Sequence, residues 1–163
     1  MLKKALFLII LFFLIINRTS NIFYFENNNL KNSKKIIENY IEIPNINLKK
    51  EFFVDTIKFK NQKNIRMYSE FGRPNLENSN TIIGAHSGTS KYSYFKNLYK
   101  IKQNSYIFIN YENTIYKYIV YDVFYVDEND LKILNTSGKS MLTLITCKNF
   151  NRSKRLIILA ELL

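Results

Sequence analysis

The sequence has one cysteine, Cys147, and one histidine, His86, among its 163 residues. A lone cysteine cannot close an intramolecular disulfide, and one Cys with one His supplies at most part of a zinc site. Tryptophan is absent, and there are only 4 glycines and 2 prolines. Acidic residues are few: 13 Asp and Glu stand against 24 Lys and Arg, for a formal net charge of +11. That balance suits an anionic partner or surface, such as a cell envelope. The basic residues are spread along the chain rather than clustered, so nucleic acid is not expected as a partner. What the chain does have is tyrosine and phenylalanine, 15% of all residues, with abundant Ile. Aromatic and β-branched richness with little Gly or Pro favours strands joined by polar turns.

Three regions separate by composition. Residues 1–20 begin with Lys3 and Lys4, followed by 12 apolar residues from Ala5 to Ile16. Positive charge before an apolar run is the pattern of an export signal. The run falls short of the ~20 apolar residues of a full span. No small-x-small cleavage site follows in Asn17, Arg18, Thr19 and Ser20. The expectation is an uncleaved membrane helix with its lysines cytoplasmic and the remainder of the chain outside. Residues 21–39 read as a stem, polar and Asn-rich from Glu26 to Lys35. Residues 40–163 are expected to form one domain.

Within that domain, Ile41, Ile43, Ile46 and Leu48 recur around Pro44, which suits an edge strand. Phe52 to Phe59 is a second strand candidate. The polar stretch Asn61–Asn80 leaves room for a short helix at Ile65 to Phe71. Thr81 to Ala85 reads as a buried strand ending at His86, and Tyr94 to Leu98 as a helical turn. Tyr106–Ile109 and Thr114–Val126 flank turn residues, a hairpin signal. Asp127–Ser140 reads as a polar loop. Met141–Thr146 and Leu156–Leu162 form a last pair of strands around a loop at Lys148–Lys154. Many short strands with turn signals indicate an all-β sandwich or barrel.

The chemistry-bearing residues sit at the ends of these strands. Cys147 follows the buried pattern Leu142-Thr143-Leu144-Ile145-Thr146 and precedes a polar segment. Taken alone, a cysteine is more often an inert small hydrophobe than a nucleophile. Arg155 begins the next strand, so a hairpin makes it the neighbour of Cys147. There a cation favours the thiolate and can stabilise an oxyanion. His86 leaves its own strand before Ser87, Gly88 and Thr89, where it can reach a cleft and exchange protons with an amine. Alone, Arg155 reads sooner as a solvated surface residue and His86 as a structural one.

Four segments then carry a family resemblance. Thr143-Leu144-Ile145-Thr146-Cys147 is similar to the TLxTC signature of sortases. Lys154-Arg155-Leu156-Ile157-Ile158 resembles the strand that opens with the sortase active-site arginine. Ile82-Ile83-Gly84-Ala85-His86 resembles the histidine strand, with one residue between glycine and histidine where the family has an adjacent pair. Ile41-Glu42-Ile43-Pro44 resembles the first strand. Arg152 is a second arginine in the same hairpin, farther from the strand start.

The resemblance implies a closed eight-stranded all-β barrel with short helices in its connections, behind the N-terminal membrane helix. It implies a cysteine transpeptidase with Cys147, His86 and Arg155 catalytic, and Thr146 and Ser87 beside the peptide. The substrate would be a surface protein with an LPXTG-like C-terminal sorting signal, cut between Thr and Gly. The acceptor would be an amine of a peptidoglycan precursor or another protein. No cofactor or metal is implied, although calcium stimulation stays open because no clear carboxylate cluster marks a site. A purely hydrolytic or non-catalytic surface protein on the same barrel is the alternative.

Overall fold

A computed structural model describes residues 39–55, 63–130, 138–148 and 151–163. The membrane helix expected at residues 1–20 and the stem at 21–39 lie outside these residues, save Asn39. Among the described residues, no helix is long and apolar enough to cross a membrane.

Eight strands close into a barrel. They are β1 (Tyr40–Ile43), β2 (Leu48–Asp55), β3 (Ile65–Tyr68), β4 (Asn80–Gly84), β5 (Tyr106–Tyr111), β6 (Thr114–Asp127), β7 (Met141–Lys148) and β8 (Asn151–Leu162). Around the barrel they run β1-β2-β3-β4-β7-β8-β6-β5. The β2–β3 and β4–β7 pairs are parallel, and the other pairs antiparallel. Closure gives each of these strands a partner on both sides, which removes the exposed sheet edge. The expected all-β barrel of eight strands is present, and the helices among the described residues are two single 3₁₀ turns, Pro44–Ile46 and Leu98–Lys100.

The alternation of each strand explains the interior. Ile41 and Ile43 of β1, Ile65 and Met67 of β3, Ile107 and Ile109 of β5, and Leu142 and Leu144 of β7 point inward with 0% exposure. Burying such a side chain contributes roughly 1.5–3 kcal/mol before the entropy of ordering is set against it. Tyr118 of β6 is also buried, and loss of hydration pushes its hydroxyl up to about 12.

Several local expectations are corrected. Pro44 does not lie in an edge strand: β1 pairs on both sides, with β2 and β5, and Pro44 opens the first 3₁₀ turn. Its missing N–H costs nothing at a helix start. Ile65–Tyr68 is a strand, not a helix; Ile65 and Met67 are buried while Arg66 and Tyr68 are half-buried, a period of two. The β5–β6 turn is tighter than expected, with only Glu112 and Asn113 between the strands, both at positive φ of 51° and 66°. β8 starts earlier than Leu156, because its first residues pair with β6 (Asp127 opposite Lys154, Val126 opposite Arg155). The second strand candidate is present as β2 up to Asp55, and its remainder, residues 56–59, falls outside the described residues.

Candidate active site

Strand order and register bring the three sequence-picked residues together. β4 and β7 run parallel with Gly84 opposite Ile145. Two residues further on, His86 and Cys147 leave these strands at the same end and with the same facing. β7 and β8 run antiparallel with Cys147 opposite Arg155. The face therefore presents His86, Cys147 and Arg155 in that lateral order, one per strand, at a spacing of ~4.8 Å between strands. The register shift just after Cys147, where Lys148 meets Asn151, ends the regular ladder at the thiol. A strand end of this kind exposes a side chain without leaving it unsupported.

All three line one cleft of about 320 Å³, together with Arg66 and Tyr68 of β3, Gly84 and Ile145. Cys147 is a free thiol and half-buried. Gly84 keeps the floor low. A methyl there would stand 3.0 Å from Tyr68 Cε2, 3.2 Å from its hydroxyl and 3.3 Å from Ile145 Cγ2. The residue between Gly84 and His86, Ala85, is small and its N–H still donates to the Ile145 carbonyl at 3.4 Å, so the β4–β7 ladder continues past Gly84.

Thr146 and Ser87 have the opposite facing, and their hydroxyls are engaged. Thr146 Oγ1 donates to the Ala85 carbonyl at 2.7 Å, and Ser87 Oγ to the Cys147 carbonyl at 2.6 Å. Phe95 N–H donates to the His86 carbonyl at 3.0 Å. These bonds stitch the exits of β4 and β7 together and fix the backbone on either side of the thiol. Both residues still border cleft space: Thr146 lines the first cleft, and Thr146 and Ser87 line a second of about 200 Å³. Cys147 and Thr146 belong to both clefts. The second is walled by Phe95, Tyr99, Tyr125 and Leu156, with Lys96 and Lys148 at its margin. Lys148 Nζ lies 4.8 Å from the Tyr125 ring centroid.

Arg155 is held from the far side. Its Nη2 donates to Glu128 Oε2 at 3.0 Å, and its Nη1 makes a long bond of 3.4 Å to the Lys154 carbonyl. Glu128 follows the end of β6, where its own N–H donates to the Ser153 carbonyl at 2.8 Å. Neighbouring Asp127 pairs with Lys154 at 2.8 Å. Two adjacent acids thus face two adjacent bases across the start of β8. A guanidinium has five N–H donors, enough to serve the cleft as well. Sequence reasoning missed Glu128, Arg66 and Tyr68. The Asp127-Glu128 and Lys154-Arg155 pairs are a signal for the first, once the β6–β8 register is known. Arg66 and Tyr68 were hidden by the reading of β3 as a helix. Among the described residues, no three His, Cys, Asp or Glu side chains gather at metal-holding distance.

Comparison with known proteins supplies the context for this geometry. A family model described as the sortase domain matches residues 41–163. A search of curated proteins found no match. Sortase C of Streptococcus pneumoniae is 26% identical with a TM-score of 0.70, over 77% of this chain and 68% of that one. Sortase A of Corynebacterium diphtheriae is 25% identical with a TM-score of 0.68, over 78% of this chain and 60% of that one. Sortase C of Clostridium perfringens, in a structure with the C-terminal cell wall sorting motif, is 24% identical with a TM-score of 0.67, over 76% of this chain and 69% of that one.

Proposed function

This chain belongs to the sortase family, and from that premise we propose that it is a cysteine transpeptidase acting on surface proteins. Its substrate is an LPXTG-like C-terminal sorting signal, cut between Thr and Gly. The observation that carries the reading is the meeting of Cys147, His86 and Arg155, each from a different strand, in one cleft.

The chemistry follows from that placement. The Cys147 thiolate adds to the Thr carbonyl carbon, and the carbonyl electrons move onto oxygen. Arg155 donates hydrogen bonds to that oxyanion. The intermediate collapses, the C–N bond breaks, and His86 as imidazolium gives its proton to the departing amine. The product is a thioester on Cys147. An amine of a peptidoglycan precursor or of another protein then attacks the thioester. His86 takes the proton that this amine loses, and Cys147 leaves as thiolate. Atoms and charge balance with these residues, and no cofactor is invoked. Because thiolate and imidazolium must coexist, activity is expected between two titrations, in a bell-shaped profile. Thr146 and Ser87 border the bound peptide while holding the backbone of the site. Residues 1–20 are proposed to anchor the chain in the cell membrane, single-pass, with the catalytic domain outside.

The test is cleavage of an LPXTG-type peptide with and without an added amine. Transpeptidation predicts that amine diverts product from the free acid to the amide, and that Cys147→Ala loses both. Product that stays free acid at saturating amine points to a hydrolase. No turnover, with Cys147 inert to alkylating agents at neutral pH, points to a non-catalytic surface protein.

A further inference from the structure

The reacting cleft has a second guanidinium that the proposed chemistry does not use. Arg66 lies on β3 opposite Gly84, and Gly84 lies opposite Ile145. In both pairs the partners share a facing, so Arg66 is on the same face as Cys147. It lines the same cleft as His86 and Arg155. No Asp or Glu among the described residues lines that cleft. Arg155 stands at the thiol end, beside Glu128. Arg66 stands at the other end, with Asn64 and Tyr68. Arg66 is half-buried. At such a site a charge interacts more strongly with an entering opposite charge than it would in open solvent.

The floor between Arg66 and Cys147 is low and uncharged, formed by Gly84, Ala85 and Ile145. Arg66 is two strand spacings and two residues away from Cys147. That puts their Cα atoms roughly 12 Å apart, the span of about three to four residues of extended chain. The long Arg66 side chain shortens the distance the ligand must cover.

We propose that Arg66 is a specificity-determining residue that selects sorting signals carrying an acidic side chain about two to four residues from the attacked carbonyl. A carboxylate there takes a charge-assisted, forked hydrogen bond from the guanidinium while the peptide backbone lies along the Gly84 floor. The inference rests on the acyl-transfer reading above and adds the substrate's charge to it.

The experiment is a scan of an LPXTG-type peptide in which Asp, Asn or Lys is placed singly at each position up to four residues on either side of the scissile bond. kcat/KM is measured for the full-length protein and for Arg66→Gln, Arg66→Lys and Arg66→Glu. Wild type is expected to favour Asp over isosteric Asn by roughly tenfold at one position, the scale of one charge-assisted hydrogen bond. Arg66→Gln should bring that ratio to near one, Arg66→Lys should retain part of it, and Arg66→Glu should favour Lys. Using ratios within each variant separates selectivity from any loss of folded protein. Equal turnover of Asp and Asn peptides by wild type at every position overturns the inference and leaves the transpeptidase reading intact. So does an Asp preference that survives in Arg66→Gln. Turnover of none of the peptides overturns the transpeptidase reading, and this inference with it.

Discussion

Two clefts meet at Cys147, and they are built from opposite facings of the same strands. The larger holds Arg66, His86 and Arg155 over a floor of Gly84, Ala85 and Ile145. The smaller is walled by Phe95, Tyr99, Tyr125 and Leu156, with Lys96 and Lys148 beside them. The difference shows how a β-barrel makes a site. A strand of period two gives one facing to the chemistry and the other to support. On the first facing, Cys147 meets His86 and Arg155 laterally. On the second, Thr146 and Ser87 bond to the backbone and hold the strand exits in register. Each cleft carries two cationic side chains, two arginines in the first and two lysines in the second, while aromatic surface concentrates in the second.

The largest expected effects fall on the first facing. Cys147→Ala should abolish peptide cleavage, and His86→Gln should lower kcat by roughly 10²–10⁴, the usual share of general acid–base catalysis. Both are read by single-turnover kinetics on a sorting peptide. Arg155→Ala should cost about 10²–10³ in kcat, the scale of one lost oxyanion donor. Glu128→Gln should cost only a few-fold, because an ion pair at this exposure is weak. If Arg155→Ala and Glu128→Gln were equally damaging, the guanidinium would matter for structure rather than for the oxyanion.

Gly84→Ala sharpens the comparison at the cleft floor. The new methyl meets Tyr68 Cε2 at 3.0 Å, so the ring must give by a few tenths of an ångström. The expected result is a loss of about 1–3 kcal/mol in stability, read by denaturant titration, with a raised KM for the peptide. Tyr99→Ala is the counterpart in the second cleft. It removes an exposed ring and should leave the rate of thioester formation within about twofold, consistent with the small effects of most surface changes. An equal loss from Tyr99→Ala would place the sorting peptide in the second cleft.

The smallest effects belong to the supporting hydroxyls. Thr146→Val and Ser87→Ala each remove one short hydrogen bond to a backbone carbonyl. Each should lower stability by about 0.5–1.5 kcal/mol, seen as a melting-temperature drop of a few degrees. A large catalytic loss without destabilisation would give either hydroxyl a direct role on the peptide.

The pairing of Cys147 with Arg155 was legible in the sequence because strand alternation and a hairpin are short-range rules. Cys147 at the end of one apolar run and Arg155 at the start of the next needed only antiparallel pairing to become neighbours. His86 is different: its approach to Cys147 depends on the parallel β4–β7 pairing, a contact between distant segments that no local pattern encodes. The family motif, rather than periodicity, supplied it. β3 was missed because four residues among asparagines carry little periodic signal, and Arg66 and Tyr68 were lost with it. Pro44 misled for a related reason, since a single proline fits an edge strand and a 3₁₀ start equally well. Glu128 could be matched to Arg155 only after the β6–β8 register was known.

The central claim is that Cys147 carries the acyl group between two amines. Intact-protein mass spectrometry during turnover of a sorting peptide tests it most directly. The account predicts an added mass equal to the peptide's acyl portion, mapped to Cys147, absent in Cys147→Ala and discharged faster when an amine is supplied. Turnover with no adduct at Cys147, or full activity in Cys147→Ala, would contradict it.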